Sequence, residues 1–289
     1  MKIKALVATL AIALTIPPLA YGHGFAGKRF FPATLNLEDS FVAPELDFLY
    51  THNRVPGEEG GDVYASDLEA EFAKPLTRDF QLSLGADYLH LNPLDGPAVN
   101  GFENFEVGAK YQVFIDDAAE SALAVGVEAE IGNTGSSHVD AEPFTVVAPA
   151  VYYSKGFGNL STGWLRPFAI TAQVAPTFPT DSGEPHAIEW GVTLQYSLPY
   201  LESFVKDTGL PAPFRNMIPI VEFPMETCLD RGCSGETTGT INPGFIWIGK
   251  VSQLAFELVI PANDDSGSHI GFQLQYHLYL DDIFPSWGR

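Results

Sequence analysis

Acidic side chains recur at every second position along several stretches of this chain. Asp67, Glu69 and Glu71 follow this spacing, and so do Glu128 and Glu130. In an extended strand, residues two apart point to the same side, so each group presents its carboxylates on one face. The full set assigned to that face comprises Asp47, Asp67, Glu69, Glu71, Asp87, Glu106, Glu128, Glu130, Glu189, Glu222 and Glu257, opposed mainly by Lys110. Carboxylates gathered around one lumen would concentrate cations and repel anions.

Like charges as crowded as these cannot all stay ionised without water or partners nearby. Three arrangements satisfy this condition: a water-filled channel that prefers cations, a lumen in which some carboxyls are protonated and hydrogen-bonded, or a lumen partly filled by another segment. A polar lumen wall can also be solvated without any selective role. The sequence leaves these alternatives open.

The elements that would carry these residues are twelve segments with a period of two. The last, SHIGFQLQYHLYL at 268–280, has apolar side chains at every second position from Ile270 to Leu280 and polar ones such as Gln273 and His277 between them. The twelve predicted segments span residues 44–52, 63–75, 79–90, 104–114, 121–132, 143–154, 164–176, 187–198, 217–226, 240–250, 252–261 and 268–280. Strands of this length with one apolar and one polar face are typical of proteins that cross a bilayer around a watery lumen.

The connections between these segments alternate in length. Tight turns join the second to the third, the fourth to the fifth and the tenth to the eleventh, whereas the intervening connections are long and rich in Gly, Asp, Asn and Pro. Two connections, Lys155 to Gly163 and Pro199 to Asn216, break the rule, and the second could hold a helical turn. We therefore predict an all-β fold, an antiparallel transmembrane β-barrel of about twelve strands over residues 44–289. A soluble barrel or sandwich, which also alternates, is the less favoured alternative.

Residues 1–22 have the features of a secretory signal peptide. Two lysines precede an apolar run from Ala5 to Ile16, and Ala20-Tyr21-Gly22 offers small residues for cleavage. We therefore expect export by a cleaved signal and localisation in the outer membrane of a Gram-negative cell.

Residues 23–43 separate the signal from the first predicted strand and show no clean periodicity. They contain Lys28 and Arg29, the only cluster of positive charge near the mature N-terminus. We expect an N-terminal periplasmic segment or plug, which would fold into the barrel mouth and neutralise part of the acidic lumen.

The formal net charge of −21 restricts the partners that this chain can have. So acidic a protein repels nucleic acid and favours cations or neutral solutes. The partners expected of such a barrel are a small solute and the lipid and lipopolysaccharide of the outer membrane.

The block from Thr240 to Pro285 carries a family resemblance. NPG opens one strand, the pattern E-x-x-x-P-x-N ends the next, and LDDIFP follows the last. These features resemble the C-terminal part of Gram-negative outer-membrane barrels of the transporter type, of which the "MetA-pathway of phenol degradation" group is one branch. The resemblance implies passage of small solutes without naming one. The spacing from His269 to Tyr276 also resembles the signal read by the barrel-insertion machinery, although DDIFPSWGR follows it.

The cysteines and histidines raise a second possibility. Cys228 and Cys233 are the only cysteines, and in an oxidising compartment they are expected to form a disulfide. Six histidines are candidate metal ligands: His23 at the mature N-terminus, and His52, His90, His138, His186 and His269 at or beyond the predicted extracellular strand ends. Imidazole with carboxylate suits copper or zinc, so metal capture or uptake is the alternative function. Histidines also occur in exposed polar loops without any such role.

The sequence offers no constellation that predicts an enzyme. Ser137-His138 and Ser268-His269 are adjacent pairs, so in a strand their side chains point to opposite faces and cannot form a Ser–His relay. There is also no GxSxG motif or phosphate-binding loop. We therefore expect a protein without catalytic residues and without a required cofactor.

Overall fold

Twelve antiparallel strands form one sheet that closes on itself. The computed structural model describes residues 24–56, 61–94, 96–233 and 235–287. The barrel strands are β1 (Glu45–Pro56), β2 (Asp62–Thr77), β3 (Phe80–Pro93), β4 (Glu106–Asp116), β5 (Ser121–Glu130), β6 (Val146–Gly156), β7 (Phe168–Pro179), β8 (Ala187–Tyr196), β9 (Met217–Cys228), β10 (Thr237–Ile248), β11 (Ser252–Pro261) and β12 (Gly271–Tyr279). Each strand pairs with the next, and β12 pairs with β1 in a register that sets Tyr279 opposite Glu45. Each of the twelve predicted segments overlaps one strand, so the predicted fold class is confirmed.

The alternation of the sequence separates the two faces of the barrel wall. Leu84, Val125 and Leu274 point outward and are 54%, 40% and 46% exposed, as expected of side chains that contact lipid. Gln81 and Gln275, on the opposite face, are buried in the interior. Shifting any strand by one residue would exchange the two sets, so the pattern fixes the register of the sheet.

The two ends of the barrel differ in their connections. Residues 78–79, 117–120 and 249–251 form short turns at one end, hereafter the turn end, and the long connections that precede and follow them form the loop end. A short strand, Val99–Phe102, pairs with β3 at the loop end. The two long connections at the turn end contain the short helices Gly163–Leu165, Leu198–Tyr200, Leu201–Val205 and Phe214–Asn216, which confirms the predicted helical turn. In the described part of the chain, no helix is both long and apolar enough to cross a bilayer.

Strand β9 forms despite two prolines. Pro219 and Pro224 lie within it, and a proline cannot donate to a strand ladder. The pairing of β9 with β10 skips Phe223 and Pro224 and resumes at Met225 in the same register. The ladder with β10 is therefore interrupted at Pro224, whereas Pro219 keeps its place opposite Phe245 and Pro224 stays opposite Gly191 of β8.

Residues 24–43, hereafter the inner segment, fold into the barrel from the turn end. They begin with a small hairpin, Phe25–Ala26 paired with Arg29–Phe30. Gly27 lies in its turn at φ +60°, and a Cβ there would lie 2.3 Å from the carbonyl oxygen of Asp117 in the β4–β5 turn. Only glycine fits this left-handed position so close to another backbone.

Beyond the hairpin, the inner segment crosses the lumen as an irregular chain. It is hydrogen-bonded to wall side chains on seven strands, namely Gln81 on β3, Lys110 on β4, Ser154 on β6, Gln173 on β7, Glu222 on β9, Gln253 and Glu257 on β11, and Gln273 and Gln275 on β12. Because the segment has no ladder of its own, these glutamine, serine and carboxylate groups satisfy its buried backbone and side chains.

Apolar side chains of the inner segment pack into the barrel interior. Leu35 is buried against Leu49, Ile218 and Ile246 on one side of the lumen. Phe31 and Phe41 form a second cluster, with ring centroids 5.5 Å apart and the rings tilted by 31°, beside small alanines of β5 and β7. The inner segment therefore packs against the barrel wall through two buried apolar clusters.

The predicted disulfide joins Cys228 to Cys233 at the loop end. Their Cα atoms lie 5.7 Å apart, and the bond closes the connection that leaves β9.

Candidate functional site

The lumen contains a cavity of about 450 Å³, hereafter the acidic cavity, on the loop side of the inner segment. Residues 33–39 of the inner segment form its floor. Seven of the carboxylates assigned to the lumen from the sequence line its wall: Asp47, Asp67, Glu69, Glu71, Glu106, Glu128 and Glu189. The period of two in β1, β2, β4, β5 and β8 thus brings distant acidic residues to one space.

Several of these carboxylates lie directly opposite one another across the ladder. Glu71 opposes Asp47, Glu69 opposes Asp87, and Glu106 opposes Glu130. Like charges in directly opposed positions destabilise a sheet. Water and cations that enter the cavity would relieve this repulsion, whereas anions would increase it.

Lys110, the cation assigned to the wall, does not neutralise those carboxylates. It is buried, and its ammonium group forms an ion pair with Glu38 and lies 3.7 Å from an Asp39 carboxylate oxygen. It also donates to the main-chain oxygen of Asp39 at 3.2 Å. Both acidic partners belong to the inner segment, so the pairing ties that segment to β4 and leaves the cavity acidic.

Arg29 anchors the inner segment at the turn end. Its guanidinium group lies 3.3 Å from Glu120, donates to the Pro167 carbonyl at 2.8 Å, and stacks 3.7 Å from the ring centroid of Tyr200. Burial and the hydrogen bond to Glu120 raise the pKa of Tyr200 to about 12, so its hydroxyl stays protonated and donates to Glu120 at 2.8 Å. The sequence hypothesis paired this arginine with lumen carboxylates, whereas the structure places it against the turn-end connections.

Two of the predicted lumen carboxylates lie beneath the inner segment. Glu222 and Glu257 are fully buried, and the Asn36 side-chain amide donates to both, at 3.0 Å in the case of Glu257. Glu222 also accepts the Asn36 backbone N–H at 2.8 Å and the Thr193 hydroxyl at 3.0 Å. These two residues secure the segment rather than line the open cavity.

The remaining two predicted wall residues lie near the loop end. Glu130 accepts a hydrogen bond from Asn104 at 2.8 Å, which fixes the connection between β3 and β4. Asp87 sits beside Glu69 on the same face.

Some residues of the site carry no strand periodicity and were not identified from the sequence. They include Asn36, Glu38 and Asp39, which lie in the irregular stretch NLEDS. The alternation of β12 predicts the lumen face for His277 but does not predict its partners: its ring nitrogens lie 3.0 Å from Asp47 and 3.2 Å from Glu45. The high proportion of polar residues in NLEDS, shortly before the first strand, is the sequence signal that indicates contact of this stretch with the polar lumen wall.

The histidines considered as metal ligands are dispersed. His186 contacts Asp230 at 2.8 Å, His269 contacts Asp62 at 3.4 Å, and His52 contacts the Ser66 hydroxyl at 2.9 Å. Within the described ranges, no group of three or more His, Cys, Asp or Glu side chains is placed to hold a metal ion. His23 and the signal peptide lie outside the described residues. The metal-capture alternative therefore gains no support.

Comparison with solved structures identifies the architecture. The COG4313 outer membrane channel from Pseudomonas putida F1 aligns over 86% of this chain and 99% of its own length, with a TM-score of 0.55 and 12% identity. The NanC porin aligns over 81% of this chain and 98% of its own length, with a TM-score of 0.51 and 9% identity. The chain has the same fold as these outer-membrane β-barrels, a closed antiparallel barrel of twelve strands. At such low identity the likeness shows the fold alone.

Sequence comparisons give no narrower assignment. No family model matches the chain, and no curated protein matches it. The resemblance to the phenol-degradation group therefore stays a prediction.

Proposed function

We propose that this chain is an outer-membrane channel for small solutes, with a lumen that disfavours anions and an inner segment that closes it towards the periplasm. The observation that carries the proposal is the acidic cavity itself: seven wall carboxylates surround about 450 Å³ of space, and the wall lysine is already paired with the inner segment. A single sign of charge around a narrow lumen concentrates counter-ions there. Cations and neutral solutes are the favoured occupants.

The orientation and partners follow from the same architecture. In outer-membrane barrels the short turns face the periplasm and the long loops face outward. The inner segment would then block the periplasmic mouth, and the acidic cavity would face the exterior. Lipid and lipopolysaccharide would contact the apolar outer face, and the barrel-insertion machinery would recognise β12.

Planar-bilayer conductance tests the selectivity. We expect reversal potentials measured in a salt gradient to show cation preference, and the preference to weaken at high ionic strength because salt screens the carboxylates. Anion preference would contradict the proposal.

A disulfide lock tests the closure. Ser40 of the inner segment and Ser154 of β6 are both buried, with hydroxyl oxygens 2.8 Å apart. In a Ser40→Cys/Ser154→Cys variant, oxidation should hold the segment inside the barrel, and openings to a larger conductance should appear only after reduction. The single variants provide the matched controls.

Deletion of residues 24–40 provides the complementary measurement. It should raise the single-channel conductance by about threefold or more, since it removes the floor of the cavity. Equal conductance of the deleted, locked and wild-type chains would refute a closing role for the segment.

A further inference from the structure

A second cavity, hereafter the apolar pocket, lies at the turn end, on the other side of the inner segment from the acidic cavity. It has a volume of about 310 Å³. Phe25 and Phe30 of the inner segment form one wall, and Tyr200 and Phe204 of the β8–β9 connection form another. Ile248 at the end of β10 belongs to the same lining. Small-molecule sites are typically concave, largely apolar spaces of about this size with a few polar groups at defined positions.

The charged residues that line this pocket are two lysines and one aspartate, Asp282. Lys28 and Lys250 both line it, and both side chains are exposed. The Lys28 ammonium group lies 5.4 Å from the ring centroid of Phe204, so an aromatic wall of the pocket positions it. Among the residues that the structure describes, no carboxylate lies within 4.0 Å of either ammonium group. With Asp282 included, the formal charges of the lining sum to +1, which is opposite in sign to the net charge of −21 of the whole chain.

We propose that the apolar pocket binds a small organic anion with an apolar body. The aromatic walls would bury the body, and Lys28 and Lys250 would contact the anionic group. A charge-assisted hydrogen bond is about twice as strong as a neutral one, so the anion should bind more tightly than its uncharged analogue.

Binding at this site would act on the inner segment. Phe25, Lys28 and Phe30 belong to that segment, whereas Tyr200, Phe204 and Lys250 belong to the barrel rim. A ligand that contacts both bodies binds only the docked state and shifts the equilibrium towards it. The anion would therefore stabilise the closed arrangement.

Fluorine NMR on the full chain in nanodiscs of zwitterionic lipid tests the site. The probes are para-trifluoromethylbenzoate, the uncharged para-trifluoromethylbenzamide and the cationic para-trifluoromethylbenzylamine, each measured against empty nanodiscs. We expect saturable binding of the benzoate, about tenfold tighter than that of the benzamide. The benzylamine should not compete with the benzoate, because it is repelled by the two lysines.

Two variants of different kinds keep the test independent of folding. Lys28→Gln/Lys250→Gln removes the charge and should reduce the affinity for benzoate to that for benzamide. Ser203→Phe places a ring into the pocket, which Ser203 lines, and should abolish binding of both. Lys206→Gln, an exposed lysine of the same connection that does not line the pocket, should leave binding unchanged.

Three results would overturn the proposal. They are equal affinity for benzoate and benzamide, unchanged binding in both pocket variants, or competitive displacement of benzoate by anionic phospholipid added to the nanodiscs. The last result would make a lipid headgroup the occupant. These measurements record binding without current, so they can fail while the channel proposal holds, and the reverse.

Discussion

The inner segment contributes to the lining of both the acidic cavity and the apolar pocket, yet the two cavities differ in polarity, in charge and in the kind of chain that forms them. The acidic cavity is polar and lined by carboxylates from strands that alternate strictly. The apolar pocket has five aromatic residues in its lining, and most of the lining comes from connections and from the inner segment. Its charged residues are two lysines and Asp282. The lumen face of the regular strands forms most of the acidic cavity, whereas irregular segments form most of the apolar pocket.

This difference shows how the barrel controls access to its lumen. The strands supply a uniform electrostatic environment, because the period of two repeats the same side-chain type around the wall. The inner segment supplies the partition, because its groups find individual partners on seven strands. Destabilising the docked inner segment, which forms the partition, should therefore connect the acidic cavity with the apolar pocket. Substituting carboxylates of the wall should change the charge of the acidic cavity alone.

The largest expected effect comes from placing a third carboxylate at the partition. Asn36→Asp would remove the amide donor shared by Glu222 and Glu257, both fully buried, and add a charge beside them. An uncompensated buried charge costs about 3–5 kcal/mol, so we expect a loss of this size in the free energy of unfolding. Urea unfolding in lipid vesicles measures it. Asn92→Asp, at an exposed position of β3, is the control, and equal stability of the two variants would contradict the assigned role of Asn36.

A smaller loss of stability is expected from a substitution at Gly191, where the inner segment contacts strand β8 closely. A Cβ at Gly191 would lie 2.6 Å from a Leu37 side-chain carbon and 2.8 Å from the Phe223 carbonyl oxygen. Gly191→Val should therefore cost about 1–3 kcal/mol through overpacking. It should also increase the open probability in single-channel recordings, because Leu37 must move. Gly96→Val, where a Cβ would meet only the Pro93 ring at ordinary contact distance, should do neither.

Changing the wall alone should alter selectivity and leave the partition in place. Glu69→Gln/Glu106→Gln removes two charges from the acidic cavity, and we expect the cation-to-anion permeability ratio to fall by about twofold to threefold. Reversal potentials measure the ratio. Glu236→Gln, exposed in the β9–β10 connection, removes a charge outside the cavity and should have less effect. A larger effect of the loop substitution would place the selective charges in the loops instead.

The smallest effect should come from the loops above the acidic cavity. The His186 backbone N–H and ring nitrogen contact the Asp230 carboxylate at 2.9 and 2.8 Å and hold the pKa of Asp230 below its ordinary value. A lowered pKa means that this contact stabilises the loop above the ordinary aspartate pKa, and that the stabilisation is lost as the pH falls through the lowered value. Hydrogen exchange of the Asp230 loop at decreasing pH measures it. Asp230→Asn should remove the pH dependence; persistence of the dependence would assign it to another group.

The wall of the barrel could be predicted from the sequence because each strand encodes its own two faces. Leu274 and Gln275, for example, are assigned to lipid and lumen by position alone. The partition could not be predicted in the same way. Asn36 and Glu222 are 186 residues apart, and their contact depends on the closed barrel rather than on any local pattern. Likewise, Lys110 lies on a strand with clear alternation, but its acidic partners lie in a stretch without periodicity.

The inner segment has a consequence for assembly. It enters beside Glu120 and Pro167 at the turn end, reaches Asn36 in the lumen, and returns to Gln81 near the start of β3 before joining β1. Both ends of the inner segment are therefore at the same rim of the barrel. The segment is a re-entrant loop, and its docking does not require threading through the barrel. The β1–β12 seam can close first, and the segment can dock afterwards as a separate step.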